Sequence, residues 1–344
     1  MATITIIPES IKLLRISDEE YFSENYRQYI SNSKLSLINP DEGGSVEKYN
    51  AGFQEKFSDS FELGSAVHAM ILQQGCYQIS KITKPAGKLG IFADKVLQLA
   101  DQFDSDMALY KQASIEADYY ANKFSDTRIE KALEVCHPYW AKRQEDDKVI
   151  KIFPQIYLSE ANLFKAEQCI SSLHKNKQIM EALSPSSILG GVEVFNEYTL
   201  IADIKVEING VEKIVHIKGK LDNFTINHET QEITLNDLKT TGKPAAFFMG
   251  NWVNVEEEGE MVRKWFPGSF QIYHYYRQMG MYLWILSCYY KNQGINYQLK
   301  ANMILVETFP NFQSRICRVY NRHIQQGLDE FKKLIINVVE CTEN

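Results

Sequence analysis

The clearest change of pattern along the chain comes at residues 192–239, which are rich in β-branched and aromatic residues. That enrichment predicts three strands, at about 192–206, 213–226 and 231–240. Asn209-Gly210 separates the first two and is a strong hairpin signal, because both residues tolerate the positive φ that a two-residue turn needs. Asn227-His228-Glu229-Thr230 supplies the second turn.

Ahead of this region the pattern is helical. A helix is predicted to begin near Asp59, with Asp59 as its cap, Glu62 completing a capping box, and Phe61, Val67, Met70 and Ile71 on one apolar side. Pro85-Ala86-Gly87 breaks the chain. Helical periodicity returns over 92–135, with a break at Ser125-Asp126. Residues 143–148 form a charged stretch read as solvated, and a further helix fits 159–183, ended by Ser184-Pro185-Ser186.

Beyond the strands, residues 250–267 carry Glu256, Glu257 and Glu258 and read as an exposed loop. A helix follows at about 269–291, then strands at about 303–308 and 315–320 that turn at Pro310-Asn311. The last helix spans Asn321–Cys341, with Ile324, Leu328, Phe331, Leu334, Ile335 and Val338 on one face. This order predicts an α/β (α+β) fold, a central sheet flanked by helices. Residues 1–57 would be an N-terminal segment packed on a core of 58–341, with a helical insertion at about 92–183.

Composition narrows the class. The 344 residues are 44% hydrophobic and 24% charged, as expected of a packed core. The most apolar stretch, 279–290, falls short of the roughly 18 residues a membrane span needs. The N-terminus lacks the basic start and cleavage site of a signal peptide. Six scattered cysteines without a CxxC pair point to reduced, mostly buried thiols of a cytoplasmic protein. The formal charge of −7 argues against a general polyanion binder, although a local basic groove can still hold DNA.

The chemistry concentrates in the second predicted hairpin, which carries Asp222 on one strand and Asp237-Leu238-Lys239 on the other. Side chains alternate across a strand, so Asp237 and Lys239 share a face that Leu238 leaves, and the turn returns Asp222 beside them. Two carboxylates, with the Leu238 carbonyl, form an oxygen donor set suited to magnesium. Lys239 could orient an attacking water or offset charge on a phosphate. An isolated D-x-K triplet is common, and an exposed hairpin with ordinary surface charges would carry the same residues.

The spacing of Asp222, fourteen intervening residues, and Asp237-Leu238-Lys239 resembles the PD-(D/E)XK nuclease superfamily, in particular the branch of exodeoxyribonuclease VIII and related phage recombination exonucleases. Four further segments resemble that branch in order: the 33–44 segment with the Gly64-x-x-x-His68 helix, Gly219-Lys220-Leu221-Asp222, a QxxxY helix pair at Gln278 and Tyr282, and the closing strands and helix of 303–341. Leu221 stands where the superfamily often has proline, and the iron–sulfur cysteines of some relatives are absent.

The resemblance implies a restriction-endonuclease-like core with a mixed sheet. It implies that His68 lies close to the metal and that Gln278 and Tyr282, one turn apart, face the site. Gln271 and Tyr275 form a competing pair, set earlier in the helix. Glu193 or Glu197 is a candidate further carboxylate, and Lys34, Lys81, Lys84, Lys88, Lys175 and Lys177 are candidate phosphate contacts. The implied activity is digestion of linear double-stranded DNA from its ends, 5′ to 3′, with Mg2+ or Mn2+. The implied setting is phage-type recombination alongside a single-strand annealing protein, in a homo-oligomer that encloses DNA. A structure-specific endonuclease on the same core, which would cut closed circles, and a non-catalytic DNA-binding protein with a relic fold, which would cut nothing, are the alternatives.

Overall fold

Asn209 and Gly210 take φ of 52° and 83°, so the turn closes a long antiparallel hairpin. Its strands are β3 (Val192–Ile208) and β4 (Val211–Asn227), in register from Ile208↔Val211 to Val192↔Asn227. In the computed structural model the described residues are 2–52, 58–120, 126–149, 151–186, 190–257 and 260–341. Contacts divide the chain into two units, one of 1–54, 173–307 and 313–344, the other of 55–172 and 308–312.

The first unit holds a mixed seven-stranded sheet. The outer strands β1 (Ala2–Ile6) and β2 (Lys12–Leu14) both pair with β3. Next to β4 come β5 (Glu232–Thr241), then β8 (Gln298–Glu307) and β9 (Ser314–Val319). The β5–β8 neighbours run parallel, and a crossover separates them. The crossover contains the hairpin β6 (Asn251–Glu257) and β7 (Glu260–Phe266), then helix α2 (Tyr275–Asn292). Helix α1 (Lys177–Leu183) precedes the sheet strands and α3 (Asn321–Cys341) closes the chain. Phe224, Leu235, Met303, Leu286 and Phe331 are buried in one core shared by the sheet, α2 and α3. At Gly280 and Gly327 the two helices touch through their backbones: a Cβ on Gly327 would stand 1.8 Å from the Tyr276 carbonyl oxygen.

A row of asparagines, buried at Asn223 and Asn236 and half-buried at Asn196 and Asn302, fixes the register of the central strands. Asn223 Nδ2 donates to Asn196 Oδ1 (2.7 Å), Asn236 Nδ2 to Asn223 Oδ1 (2.7 Å) and Asn302 Nδ2 to Asn236 Oδ1 (2.9 Å). Asn223 and Asn236 also donate to the Leu183 and Ala182 carbonyls at the end of α1. A one-residue slip would break every bond in this row and turn Asp222 and Asp237 to the other face. Asn236→Ala strands two acceptors, Asn223 Oδ1 and the Ala182 carbonyl, and one donor, Asn302 Nδ2, and is expected to cost about 3 kcal/mol, read by urea denaturation.

The second unit is mainly helical, with helices Asp59–Leu72, Gly87–Leu99, Asp106–Glu116 and Asp126–Asp147 and most of Glu160–Lys175. Phe92, Ala113, Cys136 and Trp140 lie in its core.

Several sequence expectations change. The first of these helices is capped by Ser58, whose hydroxyl accepts from the Phe61 N–H, and its buried positions include Leu63, Ala66, Val67, Ile71 and Leu72, while Phe61 is exposed. The 92–135 region holds breaks at about 100–105 and 117–120 as well; Ser125 lies outside the described residues. The helix expected over 159–183 divides at Asn176, which caps α1. Within 250–267 the described residues form the paired strands β6 and β7 rather than a loop, Glu258 lying outside the described residues, and the 269–291 helix is interrupted by His274 at φ 50°. The 143–148 stretch is not simply solvated: Arg143 donates to the Tyr139 hydroxyl (2.8 Å) and lies over the Tyr157 ring (3.9 Å). Of the six free thiols two are buried and Cys76 is exposed; burial pushes Cys136 up to about 12. Among the described residues no helix is long and apolar enough to cross a membrane.

Candidate metal centre

The β4–β5 ladder ends at Asn223↔Asn236, and the next residues inward are Asp222 and Asp237. Here the strands separate. The Leu238 N–H that would continue the ladder donates instead to Asp222 Oδ2 at 2.8 Å. Strand alternation puts Asp237 and Lys239 on one face and Leu238, fully buried, on the other. Lys239 Nζ sits 2.6 Å from Asp237 Oδ2 and 3.7 Å from Asp222 Oδ2. The carbonyl of Leu238 lies 3.5 Å from the same ammonium.

A third carboxylate joins them. Glu197 and Asp222 fall between the pairs Asn196↔Asn223 and Tyr198↔Leu221 of the β3–β4 register, and their oxygens come within 4.8 Å of each other. Glu197 is in the left-handed region at φ 57°, a strained conformation for a residue with a Cβ, and such residues cluster at functional sites. Lys220 bridges to Glu197 at 2.8 Å. Glu193 points elsewhere and pairs with His228 at 2.7 Å.

Helix α2 delivers the other groups. Gln278 Nε2 donates to Asp237 Oδ1 at 2.7 Å. One turn before it, the Tyr275 ring lies 5.5 Å from Lys239 Nζ. Tyr282, one turn after, is packed so closely on Gly219 that a Cβ there would stand 2.2 Å from its ring. Gln271 is occupied elsewhere, donating to the Met249 carbonyl and accepting from the Gly268 N–H. The site thus takes Gln278 and Tyr282 from one candidate pair and Tyr275 from the other.

The electrostatics follow from this crowding. Burial works to lower the pKa of Lys239, but Asp222 and Asp237 outweigh it and hold the group above the ordinary lysine range. Lys239 is therefore an ammonium near neutral pH, a donor and not a base. Burial raises the Tyr275 and Tyr282 phenols, so both are neutral donors. Three carboxylates face two ammonium groups, an excess of negative charge. The donors are hard oxygens: Asp222, Asp237, Glu197 and the Leu238 carbonyl. A cation, the Lys239 ammonium, already lies between two of the carboxylates. Hard oxygens of this kind are the ligands that a hard divalent cation takes.

Arg277, next to Gln278, anchors this end of α2. Its fully buried guanidinium donates to Glu42 Oε2 (2.6 Å), Glu330 Oε1 (2.8 Å), Asn32 Oδ1 (2.8 Å) and Ser36 Oγ (2.9 Å). Burial alone would raise the Glu42 and Glu330 carboxyls. Bonds to Arg277 and Asn39, and to His274 and Tyr276, overcome it and leave both below the ordinary glutamate value. A folded-state pKa depressed below the unfolded one means that the unfolded chain binds more protons. Stability is therefore complete above the unfolded glutamate pKa and is lost as pH falls through and below it. Urea denaturation at neutral pH and at about pH 4 is expected to show that loss, and Glu42→Gln to show a smaller one.

The remaining sequence candidates fall on other elements of the two units. His68 is half-buried on helix Asp59–Leu72 of the second unit. Lys84, expected to meet phosphate, is buried in its own unit between Glu62 and Asp94 (2.7 Å to the latter). Lys88 pairs with Asp118, and Lys34 is half-buried against the Tyr49 ring. Lys81, Lys175 and Lys177 are exposed. Lys220 had no assigned role at the site, and Tyr275 stood only in the competing pair with Gln271. The signal for Lys220 was its place two residues before Asp222, and for Tyr275 its place three residues before Gln278, on the same helical face.

No protein-family model and no curated protein matches the chain. Among solved structures it is similar to a provisionally assigned exonuclease from Eubacterium rectale, with 14% identity and a TM-score of 0.47, over 96% of this chain and 87% of that one. A likeness of that degree carries no chemical argument, and function has to rest on the residues of the site.

Proposed function

We propose that the chain is a magnesium-dependent deoxyribonuclease with a PD-(D/E)XK centre. One observation carries this reading: Asp222, Asp237 and Lys239 converge where β4 and β5 part, with Gln278 bonded to Asp237. Asp222, Asp237 and the Leu238 carbonyl would hold the metal, with Glu197 as a further carboxylate. Bound there, a divalent ion supplies Lewis-acid polarisation of a phosphodiester. Lys239 directs its ammonium at the attacking water or at a phosphate oxygen, where it offsets developing negative charge. Gln278 fixes the orientation of the Asp237 carboxylate. Tyr275 and Tyr282 wall the site with neutral hydroxyls.

The finer reading is an exonuclease acting on linear duplex, 5′ to 3′, in phage-type recombination, with a single-strand annealing protein as partner and a homo-oligomer enclosing the DNA. Its support is the resemblance of the ordered motifs. Incubation with magnesium, end-labelled linear duplex and closed circular duplex tests it. Digestion of the linear DNA alone is the expected result. Rapid cutting of the circle would replace the exonuclease with an endonuclease on the same centre.

A further inference from the structure

The β6–β7 hairpin is a two-stranded ribbon inserted between the strand that bears Lys239 and the helix that bears Gln278. Its pairing sets Trp252 opposite Trp265, Asn254 opposite Arg263 and Glu256 opposite Met261, all on one face. The two indoles meet edge to face at 5.7 Å, and the Arg263 guanidinium lies 5.5 Å over the Trp252 ring. Even so, Trp252 is 52% exposed, Trp265 43% and Met261 68%. An isolated ribbon of this size is marginal in water, and two indoles held open on it with a cation beside them call for a ligand.

The root of the ribbon is rigid and continuous with the metal centre. Gly250, at φ 88°, lies so close beneath Trp265 that a Cβ would stand 2.2 Å from the ring. The Phe270 N–H donates to the Phe248 carbonyl (3.0 Å) and Gln271 to that of Met249 (2.9 Å). Phe248 in turn stacks on Tyr275 at 5.7 Å and 12°, and Tyr275 is the ring beside Lys239.

We propose that the Trp252–Trp265 face binds single-stranded DNA that enters or leaves the metal centre. Bases stack on the two indoles and a backbone phosphate meets Arg263. Flat exposed rings interleaved with a cation are the chemistry that holds single strands without regard to sequence. The acidic residues Glu256 and Glu260 lie toward the tip, so the phosphate chain is confined to the root half, beside the site. This inference rests on the nuclease reading for its choice of ligand.

The test is fluorescence anisotropy of a labelled oligothymidylate with the full chain in chelator, where no cleavage occurs. Trp252→Ala and Trp265→Ala are each expected to weaken binding by about ten-fold, the scale of one lost base stack. Trp252→Phe, which keeps a ring, should retain most of it. Arg263→Gln should weaken binding and lower its salt dependence by about one phosphate contact. Unchanged affinity in Trp252→Ala and Arg263→Gln overturns the proposal. So does light scattering in which Trp252→Ala disperses an oligomer while oligothymidylate binding persists, which makes the face a contact between copies. Tryptophan-dependent binding by a protein that cleaves no DNA supports this inference and removes the nuclease reading. Cleavage with tryptophan-independent binding does the reverse.

Discussion

Lys239→Ala is expected to slow the chemical step by about 100-fold or more while leaving DNA binding nearly intact. Its ammonium sits between Asp237 and Asp222 at 2.6 and 3.7 Å, and the two carboxylates keep it charged. It has no oxygen to give a metal. In the metal-free protein it competes for the same carboxylates, so its removal should leave magnesium affinity unchanged or raise it. Loss of one phosphate contact among many changes little in calcium-supported DNA binding. Single-turnover cleavage, calorimetric metal titration and binding in calcium separate the three effects. A variant cleaving within a few-fold of the parent makes Lys239 an ordinary partner of two carboxylates and removes the catalytic part of the D-x-K reading.

Asp222→Asn and Asp237→Asn are each expected to reduce magnesium affinity by about ten-fold or more, since each removes a charge from a small oxygen donor set. Their effects on the metal-free fold should differ. From sequence alone, neutralising either aspartate would relieve repulsion between carboxylates. The structure supports that for Asp222, which faces Glu197 within 4.8 Å. Asp237 is different, because it is the nearer partner of Lys239, and its loss leaves a poorly compensated ammonium. Thermal unfolding in chelator should therefore leave Asp222→Asn at or above the parent and Asp237→Asn below it. Equal magnesium titrations for parent and variants would place the metal elsewhere.

The aspartates and the lysine were legible because the information is local. A period of two puts Asp237 and Lys239 on one side, and Asn209-Gly210 fixes the strand order around Asp222. Glu197 could not be separated from Glu193, because that choice depends on the β3–β4 register, which long-range asparagine bonds hold. The helix break at His274 carried no glycine or proline, and histidine reaches positive φ only with surrounding support, here from Glu330 and Tyr276. That break separates Gln271 from the site and leaves Tyr275 in it. The β6–β7 hairpin was obscured by its glutamates, although Trp252-Val253-Asn254-Val255 already alternates as a strand does. Ser58 was passed over as a cap because Asp59, its neighbour, is an equally good capping residue.

The most direct test of the account is release of label from end-labelled linear duplex by the parent protein and by Asp237→Asn, side by side, as magnesium is added and then chelated. Magnesium-dependent release by the parent, arrest on chelation, and none by the variant are expected. Release without magnesium, or at the parental rate by Asp237→Asn, would contradict it.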